Sequence, residues 1–174
     1  MTLALSISKA EVPDAEQITA LVNSAYRGES SKQGWTTEAD LLVGRRTDID
    51  EILRLISSED SMFLLCKTKT ELIGSVCLQK QAEQVCLSML AVNPPLQGMG
   101  AGKQLLQAAE LAAQKTWTAT KLIMDVITCR IELIEFYERR GYRRTGVIKA
   151  FPVSPELWNP KVTNLQLEML EKVL

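Results

Sequence analysis

The segment Gln97-Gly-Met-Gly-Ala-Gly102 sets glycines at alternate positions, 98, 100 and 102. It lies between a strand-like run, Val85 to Val92, stopped by Pro94-Pro95, and a Leu/Ala-rich helical pattern that carries to about Lys115. Glycines let the backbone pass close to a ligand, while the helix start turns unpaired N–H groups and the positive end of its dipole toward the same spot. The chemistry this supports is capture of a phosphate or pyrophosphate. Two glycine signatures fail here. A Walker A loop ending in Gly102-Lys103 needs a glycine at Gln97 and a hydroxyl at Gln104, and a dinucleotide fingerprint starting at Gly98 or Gly100 needs a glycine at Lys103 or Leu105. What fits is Gln-x-x-Gly-x-Gly, on Gln97, Gly100 and Gly102.

Composition narrows the remaining chemistry. The chain contains no histidine, which removes Ser-His and Cys-His nucleophilic schemes, so catalysis must use carboxylates, tyrosine, lysine, backbone or water. Cys66, Cys77, Cys86 and Cys129 lack C-x-x-C spacing and lie in or just beyond apolar runs; they read as reduced core residues, and no metal site is expected. With 20 basic and 21 acidic residues the net charge is −1, so there is no electrostatic footprint for nucleic acid or an anionic membrane. Met1 to Ala10 has no basic n-region with a long apolar stretch behind it, and no run approaches 18 apolar residues, which predicts a soluble cytoplasmic protein. At 174 residues a single domain over 1–174 is expected, burying roughly 70% of its unfolded surface.

The elements that must position the glycine segment follow from periodicity. Leu3 to Lys9 alternates as a first strand, and Pro13 with Asp14 and Glu16 opens a helix through about Arg27 whose apolar face is Ile18, Leu21, Val22 and Ala25. Gly28 to Gly34 reads as a loop, Thr36 to Val43 as a short helix and Thr47 to Ser58 as another. Met62 to Cys66 and Leu72 to Gln79 form a hairpin about the polar turn Lys67 to Glu71. After the long helix come a strand, Lys121 to Thr128, a helix, Glu132 to Arg140, ended by Gly141, and strands over Tyr142 to Phe151 and Val162 to Glu171.

This order, with the glycine loop after the fourth strand, resembles the core of the GNAT (Gcn5-related N-acetyltransferase) superfamily over nearly the whole chain. A second motif agrees: Arg130-Ile-Glu-Leu-Ile-Glu-Phe-Tyr-Glu-Arg-Arg-Gly-Tyr142 is similar to the family's late helix, whose Phe-Tyr-Glu-x-x-Gly-Phe/Tyr ending carries a tyrosine facing the thioester. The resemblance implies an α/β (α+β) fold with a mixed, mostly antiparallel sheet of about seven strands, splayed between the fourth and fifth, and about four flanking helices. It implies acetyl-CoA as co-substrate, with the pantetheine arm filling the splay against backbone groups of Leu90, Ala91 and Val92. The pyrophosphate would rest on the amides of Gln97, Gly98, Met99, Gly100, Ala101 and Gly102, with Lys103 beside them.

Direct attack of an amine on the thioester sets three tasks: the amine loses a proton, the oxyanion is held, and the thiolate is protonated. The resemblance assigns the oxyanion to the N–H of Leu90 or its neighbour at the family's bulge, and the leaving group to Tyr137, a phenol of pKa about 10 facing a thiol of about 8.5. For the base, the glutamate of the histone acetyltransferase branch matches Cys86 here, which at its normal pKa cannot serve; Ser88 can only order a water, and Glu83, Asp125 or a water chain remain. Arg130 replaces an asparagine that contacts the coenzyme in many relatives; it either keeps that contact, meets an acidic substrate group or caps the helix start.

Acceptor recognition is implied for Tyr26, Arg27, Glu29, Trp35, Glu38 and Asp40 on one side and Phe151, Pro152 and Trp158 on the other. An aromatic wall with two carboxylates would suit a cationic amine. Solvated charges around a packing Trp35 are the alternative. Three functions are consistent with all this: an N-acetyltransferase acting on a small primary amine, the same enzyme acting on a protein N-terminus or lysine, and a coenzyme-binding regulatory module. The resemblance leaves a homodimer open.

Overall fold

The computed structural model describes residues 4–174, so Leu3, placed in the first strand from sequence, lies outside the described residues. Helices α1 (Ala15–Tyr26), α2 (Gly28–Ser31), α3 (Ile49–Ser57), α4 (Ala101–Trp117) and α5 (Ile131–Glu138) flank strands β1 (Ser6–Lys9), β2 (Leu42–Gly44), β3 (Ser61–Lys67), β4 (Leu72–Gln81), β5 (Gln84–Val92), β6 (Lys121–Ile127), β7 (Arg143–Ala150), β8 (Trp158–Pro160) and β9 (Gln166–Val173). Among the described residues the main sheet has seven strands in the order β1-β3-β4-β5-β6-β9-β7, and β2 pairs with β8 as a separate ribbon. Every pairing is antiparallel except β5 with β6. None of the described helices is long and apolar enough to cross a membrane.

Strand β3 is buried through six consecutive residues, Ser61 to Cys66, because helices cover both of its faces; an apolar run without alternation is what such a strand requires. On one face Leu105, Leu106, Ala109 and Ala113 of α4 pack on Leu64, Val76, Leu78, Val85, Leu87 and Leu122. On the other, Ile18, Val22 and Ala25 of α1 and Ile52 and Leu55 of α3 pack on Phe63, Leu65, Cys77, Met89 and Ala91. A third cluster, Leu42 with Ile127 and Leu167, is closed off by Phe151 and Trp158.

Four sequence expectations change. Thr36 to Val43 is not a helix: Leu41 and Leu42 both donate to the Glu38 carbonyl in a turn, after which β2 pairs with β8 in the register Leu42↔Pro160, Val43↔Asn159 and Gly44↔Trp158. The expected loop from Gly28 opens with a helical turn, α2, and the last strand starts at Gln166 rather than Val162. The Thr47 helix begins at Ile49, since the Asp48 side chain accepts from the Glu51 N–H at 2.8 Å and caps it.

Candidate active site

Strands β5 and β6 pair only through Gln84↔Lys121, Val85↔Leu122 and Cys86↔Ile123, then part. On its other side β5 slips register against β4 between the pairs Cys77↔Ser88 and Ser75↔Ala91. Met89 takes a left-handed φ of 48° there, a conformation that costs a non-glycine residue about 1–3 kcal/mol and has to be held by its surroundings. The holding contact is visible: the Tyr26 hydroxyl, from the end of α1, donates to the Leu90 carbonyl at 3.2 Å. Leu90 thereby stands at the mouth of the splay, and two cavities open from it.

The first, of about 390 Å³, runs along Leu90, Ala91 and Val92 to Gln97, Gly98, Gly100, Ala101, Gly102 and Lys103. Gly98 and Gly100 have φ of 84° and 89°, a region that favours glycine, and a Cβ on either would meet nothing within 4 Å, so both face open space. The first internal bond of α4 runs from the Gln104 N–H to the Gly100 carbonyl at 3.1 Å, leaving the amides of Ala101, Gly102 and Lys103 without acceptors among the described residues. Lys103, Arg130, Arg139 and Arg140 line this cavity and no carboxylate does. A polyanion with a thin, extended arm fits such a lining.

Two residues of the loop differ from expectation. The Gln97 amide already donates to the Pro94 carbonyl at 3.3 Å, so it is not free for an anion. The side chain of Gln97 instead accepts from the Trp35 N–H at 3.0 Å and donates to the Val92 carbonyl at 3.1 Å, tying the 34–36 segment to the end of β5. Gly34 has to be glycine for this, since a Cβ there would lie 2.2 Å from Gln97 Oε1. Met99 is half exposed and does not line the cavity. Trp35, expected at the acceptor, lines this first cavity and not the second: its ring sits 5.6 Å from that of Phe136, which carries the Arg140 guanidinium 3.6 Å from its centroid on the way to the Phe136 carbonyl.

The second cavity, of about 400 Å³, lies across the splay and is lined by Cys86, Ser88, Met89, Asp125, Phe151, Pro152 and Trp158 among others. Tyr26, Leu90, Arg130, Leu133 and Tyr137 line both cavities and so mark where they meet. Tyr137 is 5% exposed, and burial pushes its phenol well above the ordinary range, so it carries its proton at any physiological pH. Its hydroxyl has no hydrogen-bond partner among the described residues, whereas that of Tyr26 is committed to Leu90. Of the two phenols at the junction, Tyr137 holds the free donor.

The base candidates sort by position. Glu83 is exposed in the turn joining β4 and β5 and lines neither cavity; seven residues of extended chain, roughly 23 Å, separate it from Leu90, which removes it. Ser88 faces the second cavity. Cys86 does too, but burial pushes its thiol up to about 11, with Asp125 adding to the rise, so it remains a thiol. Asp125 lines the same cavity with Lys149 Nζ 2.7 Å from its carboxylate.

Glu38 is the centre of a buried triad. One carboxylate oxygen pairs with Arg27 and the other with Arg130 at 2.9 Å, and Arg130 also donates to the Thr36 hydroxyl. Arg27, Glu38 and Arg130 are 4%, 6% and 6% exposed. Arg130 therefore fixes the 36–38 segment against the start of α5, and its side chain makes no helix cap. Arg27 and Glu38 line the second cavity, while Glu29 and Asp40 point to solvent near Lys32. Sequence reading missed Arg139 and Arg140 in the first cavity and Arg46 and Lys149 in the second; for the first two the signal was present, since they sit one turn after Tyr137.

The model of the acetyltransferase (GNAT) family matches residues 16–142. No curated protein matches the sequence. The fold is similar to that of the ribosomal-protein-S18-alanine N-acetyltransferase from Escherichia coli, at 13% identity and a TM-score of 0.72 over 98% of this chain and 94% of that one. It is similar to yncA from Salmonella typhimurium with its cofactor acetyl-CoA, at 18% identity and a TM-score of 0.72 over 98% and 94%. A GNAT family acetyltransferase from Elizabethkingia anophelis with acetyl-CoA bound gives 17% identity and a TM-score of 0.67 over 98% of each chain.

Proposed function

Because the chain belongs to the GNAT family of acetyltransferases, we propose that it transfers the acetyl group of acetyl-CoA directly to the primary amine of a small molecule. The observation that carries this reading is the junction at Leu90 and Tyr137, where a cation-lined cavity and a second, differently lined one meet across the parted strands.

Acetyl-CoA supplies an acyl group activated as a thioester. The amides of Ala101, Gly102 and Lys103, with the side chains of Lys103, Arg139 and Arg140, hold its phosphates at the positive end of α4. Leu90, Ala91 and Val92 offer backbone to the pantetheine arm. The Leu90 N–H stands where the carbonyl oxygen gains charge as the amine attacks, and Tyr137 donates its proton to the sulfur as the C–S bond breaks. The amine enters from the second cavity, between Tyr26 and Phe151, and its proton leaves on that side. A pocket closed by Phe151 and Trp158 favours a small acceptor over a protein surface.

Calorimetric titration with acetyl-CoA and CoA, followed by free-thiol release over amines, amino acids and peptides, tests the reading. Thiol release with one class of small amine is the expected result. Release only with peptides would move the acceptor to a protein, and binding without release from any acceptor would support a regulatory module. Gly100→Asp is expected to weaken acetyl-CoA binding about 30- to 100-fold, roughly 2–3 kcal/mol, because it sets a carboxylate at the mouth of an anion cradle and strains a backbone at φ 89°. A normal dissociation constant in that variant would remove the loop from the coenzyme site.

A further inference from the structure

The acceptor cavity is not acidic. Arg27, Arg46, Arg130 and Lys149 line it against only two carboxylates, Glu38 and Asp125. The carboxylates are also spoken for: each oxygen of Glu38 takes an arginine, and Asp125 takes Lys149 at 2.7 Å. That leaves Arg46 with no carboxylate partner among the described residues, and it lends the cavity a net positive charge. A cationic amine, the acceptor expected from the two carboxylates in the sequence, meets no free anion there.

Arg46 is held in place by the fold. Its backbone N–H donates to Asn23 Oδ1 at 2.8 Å, the next amide, Thr47, donates to the same oxygen at 3.1 Å, and Asn23 Nδ2 returns a bond to the Thr47 carbonyl at 3.0 Å. The preceding residue donates to the Leu157 carbonyl at 2.7 Å, which fixes the other side. From this mount the guanidinium reaches to 5.7 Å from the centroid of the Tyr26 ring, beside the residue that braces Leu90. Burial lowers the pKa of Arg27, and the charge of Arg46 lowers it further, a repulsion between guanidiniums that a bound anion would relieve.

Resting on the acetyltransferase reading, we infer that the acceptor is an amine that also bears a carboxylate, with an apolar body: Arg46 takes the carboxylate, and Phe151, Trp158, Met89 and Leu133 surround the body. A planar guanidinium is suited to a carboxylate, with two parallel N–H···O bonds, and the half-buried site strengthens the pair. Free amino acids with apolar side chains are the simplest members of this class.

The test compares phenylalanine, leucine and methionine with their carboxamides, by thiol release in wild type and Arg46→Gln, and titrates 3-phenylpropanoate into the CoA-loaded protein by calorimetry. The expected result is a preference for acid over amide of about tenfold to a hundredfold in kcat/KM, carried by KM, that narrows to near unity in Arg46→Gln. Phenylpropanoate should bind wild type and not the variant, while the acetyl-CoA dissociation constant is the same in both. Equal use of acids and amides, or a preference that survives the substitution, overturns the inference and leaves acetyl transfer standing. Carboxylate binding lost in Arg46→Gln, with no transfer to any amine, keeps the anion site and overturns the acetyltransferase reading. Neither transfer nor carboxylate binding overturns both.

Discussion

Tyr137→Phe is expected to lower turnover by about 10²- to 10⁴-fold while the acetyl-CoA dissociation constant stays within about twofold. The substitution removes one hydroxyl that has no partner among the described residues and leaves the ring in its packing against Phe136 and Tyr142, at 5.3 and 5.8 Å between centroids. Little stability should be lost, so the effect isolates proton delivery to the sulfur. Tyr26, the other phenol at the junction, cannot substitute without releasing the Leu90 carbonyl. The pH profile gives a second check. A phenol raised above its ordinary value by burial is still protonated where a free one ionises, so Tyr137 contributes no alkaline limb below about pH 10. Unchanged thiol release in the variant removes Tyr137 from the acid role.

Glu38→Ala is expected to lower stability by about 3–5 kcal/mol, read as a drop in the denaturant midpoint at unchanged slope. It leaves Arg27 with no carboxylate partner among the described residues and Arg130 with only the half-exposed Glu132 at 3.8 Å, both arginines being almost wholly buried. The cost arises from that orphaned pair of charges, and it does not measure the worth of the triad: replacing all three residues by apolar ones of similar size should recover most of the loss. If Glu38→Ala melts like wild type, the triad is solvated in solution and is not the buried tie described here. The variant should also impair catalysis, because Arg27 and Arg130 form walls of the second cavity and the 36–38 segment would be tied to α5 through Thr36 alone.

The parts legible in the sequence are those whose signal is local. The glycines between a strand and a helix are legible because the backbone conformation itself demands them at Gly98 and Gly100, and the apolar face of α1 falls on Ile18, Leu21, Val22 and Ala25 as its period requires. Tyr137 was legible through its motif. What misled depends on distant partners. Thr36 to Val43 carries a helix-like start, but Leu42 finds Pro160 across the chain, and that pairing outweighs a weak local preference. The same distance hid Glu38: nothing about a glutamate shows whether it meets solvent or two arginines, one of them 92 residues away. Trp35 was assigned to the acceptor because the first two helices and their loop serve that purpose in the family it resembles, whereas Gln97 draws it to the first, cation-lined cavity. The bulge at Met89 was expected only from the family resemblance and has no local signal of its own, since methionine has no preference for positive φ.

The early parting of β5 and β6 gives the molecule two strand edges that face each other inside one sheet. An edge at the margin of a sheet invites any extended chain to pair with it, which is why proteins shorten, charge or cover such margins. The β5 edge is sheltered by α4 on one face of the sheet and α1 on the other, and the β6 edge by α4. The open backbone lies between two cavities and not at the sheet's margin, so whatever pairs with it must reach it through those cavities and bear its own hydrogen-bonding groups. The same gap that exposes backbone within the fold excludes foreign strands, so a potential aggregation edge becomes a gauge that admits an arm of one shape.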